Sequence, residues 1–167
     1  MSNVIFRLLH LGQAFVSGYG LFVSYVSITN LQKYEEKSEK AAKWSEAAAE
    51  QLHKTRTTQA AGAIAILVSF LTSLYLAFVA PSTPSSGKLT LTLANAGLAL
   101  AVRTYMLDFW QSRPKIPFVQ GYNEAVSRTT EIMDLMVSLA VSWGVLGLAW
   151  ASASVMGRRE ARMHHEL

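Results

Sequence analysis

Arg103 and Asp108 interrupt an otherwise apolar stretch, and Asp134 stands at the head of the next one. Ionisable groups are costly in lipid, so residues placed this way mark either a proton or ion path or a pair satisfied within the protein. Arg103 and Asp108 lie in the last third of their stretch, where an arginine can extend its head group toward water. Asp134 occupies the matching end of the following stretch. The placement therefore predicts a structural Arg103–Asp134 ion pair in preference to a proton path. His10 and Gln13, three residues apart and preceded by Arg7, form a second polar patch. Such a patch offers a quinone or a lipid headgroup a contact, but it is expected here to make an interhelical hydrogen bond near a membrane interface.

Other chemistries find less support. The chain has no cysteine, which removes disulfides, thiolate zinc sites, iron–sulfur ligation and a cysteine nucleophile together. His164 and His165 are adjacent on a basic tail, without the spacing or supporting carboxylates of a zinc site. Met133 and Met136 read as helix packing. No nucleophile stands beside a base and no acidic metal ligands cluster, as a lipid-modifying enzyme would need. The first two apolar stretches carry no carboxylate and no inverted repeat is visible, which argues against a coupled transporter. No catalytic, cofactor-binding or metal-binding residue is assigned. The net charge of +4 is spread over separate segments with acids interleaved, so nucleic acid is not an expected partner.

The elements that must position these residues follow from how the charge is distributed. Only 16% of residues are charged, against about 25% in soluble domains, and the densest block of them is residues 33–56. The clearest apolar run is Ala60–Ala80, whose 21 uncharged residues cover about 30 Å of hydrocarbon as a helix. It ends at Pro81. A second run, Leu135–Met156 within a span over 133–156, contains Trp143 and Trp150 and stops at Arg158-Arg159. Residues 8–29 are less apolar, but Ala14 and Gly18, then Gly20 and Ser24, fall four apart, the spacing that lets helices approach closely in lipid. The run is too long for the apolar core of a typical signal peptide, so it reads as a span rather than a cleaved leader. Residues 89–110 alternate at their start as a strand would, yet an isolated strand cannot satisfy its backbone in lipid, so a fourth helix is expected. Residues 81–88 form the turn between antiparallel helices.

Between the first two spans, residues 31–59 lack Gly and Pro and place Glu36–Lys40, Glu39–Lys43 and Glu50–Lys54 at helix-stabilising spacing. A straight helix of that length would end about 43 Å from the membrane, yet the next span follows at once. A hairpin turning near Lys43–Ser45 is the preferred solution. The alternative is a surface helix with Trp44 and Tyr34 at the interface. Residues 111–121 hold Pro114 and Pro117 and predict an extended strap, with the connection continuing to Glu131; such straps lie well over a neighbouring protein. Residues 157–167 form a basic tail. Ten Lys and Arg lie on the side of the two long connections against five on the other, which favours the cytosol or matrix for those connections, whereas the compact Arg158, Arg159 and Arg162 cluster argues for the opposite orientation.

These whole-chain features resemble the fungal-specific NUXM-type accessory subunits of mitochondrial respiratory complex I. The likeness rests on the length, the weakly polar first span HLGQAFVSGYGLFVSYVSIT, the charged helix KYEEKSEKAAKWSEAAAEQLHK, the strap RPKIP and the absence of cysteine. The resemblance implies a place in the mitochondrial inner membrane against core membrane-arm subunits, with no redox cofactor in this chain. There is no Arg-rich presequence, so mitochondrial targeting would be internal. The expectation is an all-α membrane protein of four transmembrane helices, a structural subunit whose partners are other membrane subunits and phospholipids. Arg103, Asp108, Asp134, His10, Ala14, Gly18, Trp44, Pro114 and Pro117 are its candidate structural or partner contacts. A stand-alone tetraspan scaffold or trafficking protein of the endoplasmic reticulum or plasma membrane is one alternative reading. A small channel or transporter is the other.

Overall fold

The computed structural model describes residues 3–43, 45–78, 85–112 and 120–163, all but a few of them helical. Four helices follow one another: α1 (Asn3–Ala42), α2 (Glu46–Phe78), α3 (Ser85–Trp110) and α4 (Gln120–Met163). Ser45 starts α2, its hydroxyl accepting from the Ala48 amide at 3.4 Å while Glu46 adds negative charge to the first turn. α3 closes with the Gln111 amide on the Leu107 carbonyl at 3.0 Å, shortly before Pro114 in the sequence. Trp44, Pro114 and Pro117, the 81–84 part of the second turn and His164–His165 lie outside the described residues.

Each helix packs on its sequence neighbours, and α4 returns to close against α1. α1 and α3 therefore occupy opposite corners, while α2 and α4 touch across the centre. Val23, Ile66, Met106, Ile132, Met136, Leu139 and Trp143 fill that centre, none more than 2% exposed. The exterior is more apolar than a water-facing one would be: Phe15 is 80% exposed, Leu148 74% and Tyr25 68%, whereas Gln13, Ser17, Ser27, Gln59 and Ser69 are buried. Polar groups inside and large apolar ones outside are what a lipid surround selects. Three helices are long and apolar enough to cross a membrane, over Val4–Lys33, Glu46–Phe78 and Tyr122–Val155. The chain is a membrane protein by this criterion. α3 is 26 residues long, but Asn95, Arg103 and Asp108 dilute its apolar run.

The structure departs from the expected boundaries in α4. This helix starts at Gln120, so residues 120–131, expected as strap and connection, form its first turns, and it runs through the basic residues 157–163. The cause is a buried stripe at helical spacing, Ala125, Val126, Thr129, Ile132, Met133 and Met136, which extends the packed face more than two turns ahead of the uncharged run.

α1 and α2 stay together beyond the apolar segments. Arg56 Nη2 meets Glu39 Oε1 at 2.6 Å, with both side chains about half exposed. An exposed pair of this kind contributes little, so Glu39→Ala is expected to shift the denaturation midpoint in detergent by less than about 1 kcal/mol equivalent.

Candidate functional site: polar layers and the seam between α1 and α4

Hydroxyls on neighbouring helices meet in layers along the bundle axis. Ser17 on α1 donates to Ser69 on α2 at 3.2 Å, and Trp143 Nε1 on α4 donates to the same Ser69 oxygen at 2.9 Å. Further along, Gln59 Nε2 on α2 donates to Thr129 Oγ1 on α4 at 2.6 Å, and Ser27 Oγ on α1 lies 3.1 Å from that oxygen. Thr129 gives its own proton to the Ala125 carbonyl at 2.8 Å. α3 joins through Trp110 Nε1, which donates to Thr58 Oγ1 at 2.9 Å. Ser24 and Ser73 instead bond back to the carbonyls four residues earlier, both at 2.8 Å, and need no partner helix. Thr129 joins α1 and α2 to α4 through one hydroxyl. Thr129→Val keeps the shape but leaves Gln59 and Ser27 without that oxygen, and is expected to cost about 1–2 kcal/mol in the unfolding equilibrium measured in detergent.

Glycines let the backbones close between these layers. A Cβ on Gly20 would lie 3.1 Å from Ile66, and one on Gly62 would lie 2.9 Å from Met106 Sδ. Gly18 faces Phe70, and with Ala14 it borders a groove of about 460 Å³ between α1 and α2. The predicted small-residue face of α1 thus contributes to its packing on α2.

The polar residues singled out from the sequence separate. Gln13 Nε2 donates to Ser142 Oγ on α4 at 3.0 Å, an interhelical bond of the expected kind. His10 makes none. It is 1% exposed, its ring centroid 6.0 Å from that of Trp143, and neither ring nitrogen has a hydrogen-bond partner. Nearby, Phe6 stacks on Trp150 at 4.0 Å and Lys88 Nζ lies 4.5 Å from the Trp150 ring centroid, so that end of the bundle is held by aromatic contacts.

The Arg103–Asp134 pair does not form. Arg103 Nε donates to the Met133 carbonyl at 3.2 Å, and among the described residues the Asp134 carboxylate has no ion pair or hydrogen bond. Successive residues of a helix point about 100° apart. Met133 is 5% exposed, and one residue further Asp134 is turned to the outside. Asp108 is also exposed. A network absent from the sequence reading appears instead on the α1–α4 seam, where Tyr19 Oη donates to Glu131 and Arg128 Nη1 reaches the other Glu131 oxygen at 2.9 Å. The three-residue spacing of Arg128 and Glu131 was the visible signal for half of it.

Beside that network lies a groove of about 300 Å³, bordered on α1 by Gly12, Gln13 and Val16 and on α4 by Ser138, Ser142 and Val145. Among the described residues no three His, Asp or Glu side chains come together as a metal site. The arrangement offers hydrogen-bonded packing inside and an uneven, partly polar face outside. No family model matches the chain, and no curated protein or solved structure matches it.

Proposed function

We propose that this chain is a non-catalytic structural subunit of a larger membrane complex, in its most concrete form an accessory subunit of mitochondrial respiratory complex I in the inner membrane. The observation that carries the reading is where the charges go. The layered interior is built from hydroxyls, amides and indoles, while Asp108 and Asp134 face outward and Arg103 is tied to a backbone carbonyl. A transporter would place such groups along a wet internal path. Outward-facing acids suit a protein whose faces are covered by other subunits.

In this reading α3 is the fourth span. Its 26 residues reach about 39 Å. Asn95 Nδ2 donates to the Leu91 carbonyl at 2.9 Å and Thr92 to the Leu89 carbonyl at 2.8 Å, both within the helix. Both termini then lie on one side, and the charged ends of α1 and α2 project as a hairpin on the other. Phospholipids cover what partner subunits leave open.

The test is extraction from native membrane in mild detergent, followed by native electrophoresis and mass spectrometry of the co-migrating proteins. A megadalton assembly with NADH dehydrogenase activity is the expected result. Migration as a small free oligomer would overturn it in favour of a stand-alone tetraspan scaffold of the endoplasmic reticulum or plasma membrane. Arg103→Gln is expected to lower the abundance of the chain in that assembly; an altered ion flux at unchanged abundance would point to a channel.

A further inference from the structure

We infer that the α1–α4 seam receives a transmembrane helix of a partner subunit, and that this helix carries a lysine or arginine at the depth of Asp134. The inference rests on the reading of the chain as a subunit of a complex, and it assigns the face through which the chain binds.

Asp134 is exposed, within a helix apolar enough to span a membrane. Its depth follows from its neighbour. Leu135 packs over Gly20, its Cδ1 lying 3.7 Å from where a Cβ on Gly20 would be. Gly20 is nine residues from Thr29, about 13 Å inside the end of the first span. A carboxylate at that depth demands a cation or strong donors. Among the described residues none pairs with it: Arg103 donates to the Met133 carbonyl and Arg128 is engaged by Glu131.

The groove begins one helical turn further along the same exposed face, at Ser138. It offers two features that suit a second backbone. Gly12 has nothing within 4 Å of where its Cβ would be, so a helix can approach closely there. Gln13, 5% exposed, borders the groove with its Oε1 unpartnered. An acyl chain would fill the groove but would leave Asp134 unsatisfied. A helix with a basic side chain satisfies the acid.

The test uses the full chain in its native membrane with a photo-reactive benzoylphenylalanine at Ser138 or Val145 on the seam. Leu71 and Leu100, exposed on α2 and α3, serve as controls. The expected result is a seam adduct with an apolar segment of one other polypeptide, in which peptide sequencing finds Lys or Arg within a turn of the site. Asp134→Asn should lower the yield of that adduct ~10-fold, and Asp134→Glu should restore most of it, with unchanged melting of the purified chain in both. Adducts with lipid alone, with a second copy of this chain, or with a segment lacking a basic residue would each overturn the inference, as would an Asp134→Asn yield equal to that of the parent. Adducts to other polypeptides from the controls but not from the seam would leave the subunit reading intact and remove this face from it. Adducts from no position, with the chain migrating alone, would remove the subunit reading itself.

Discussion

Trp143→Ala should be the most damaging single truncation in the bundle, lowering stability by about 3–5 kcal/mol. Trp143 is fully buried, lies beside His10, and ties Ser69 to α4 through its indole N–H. In lipid the solvent outside the bundle is as apolar as the core, so moving the side chain between them gains little. The loss comes from the cavity and from dispersion contacts that no neighbour replaces. Trp143→Phe retains most of that volume and removes only the hydrogen bond, for which about 1 kcal/mol is expected. Unfolding titrations of both variants in the same detergent separate the two contributions. Equal losses would mean that the bond to Ser69, rather than the packing, holds this layer.

Gly62→Leu should separate α2 from α3 and α4, at a cost of about 1–3 kcal/mol from overpacking. A Cβ at this position already meets Met106 Sδ at 2.9 Å, Met106 Cε at 3.2 Å and Met136 Cε at 3.6 Å. Methionine is flexible enough to yield to one methyl group, so Gly62→Ala should be mild. A leucine needs space that Met106 and Met136, both fully buried, cannot vacate without moving their helices. Gly97→Leu is the matched control, since nothing lies within 4 Å of its Cβ position, and it should stay within about 0.5 kcal/mol of the parent chain. Thermal melting in detergent checks the ranking, and a Gly97 variant as damaged as the Gly62 variant would mean that steric fit at Gly62 does not set the loss, since leucine is the better helix former at both positions.

What the sequence displayed and what it concealed divide along physical lines. The uncharged runs 60–80 and 135–156 were legible because length without charge is a one-dimensional property, and their described residues, 60–78 and 135–156, belong to α2 and α4. The early start of α4 was hidden because its buried stripe includes Thr129 and alternates with Glu124, Arg128 and Glu131, so charge masked the period. Arg103 and Asp134 were paired on longitudinal position alone, and that ignores rotation about the helix axis. One residue of rotation separates the buried Met133 from the exposed Asp134. The hydroxyl layers were the least legible part. Ser17, Ser27 and Ser69 are ordinary small residues in a membrane helix, and only the register of three helices brings them onto Trp143 and Thr129. His10, Gln13, Ala14 and Gly18 were visible as a polar and small-residue face, although the lack of a hydrogen-bond partner for His10 was not.

The closure of α4 on α1 bears on when, during synthesis, the seam comes into being. Gln13 and Ser142 stand 129 residues apart in the chain, and Ser27 and Thr129 stand 102 apart. α1 and α2 can pair as soon as the second helix leaves the ribosome, and α3 and α4 can pair locally in turn. The groove beside Gly12 does not exist until the last helix has been inserted and has found the first. A partner that docks there therefore selects chains whose four helices are all made and correctly paired, and passes over unfinished ones.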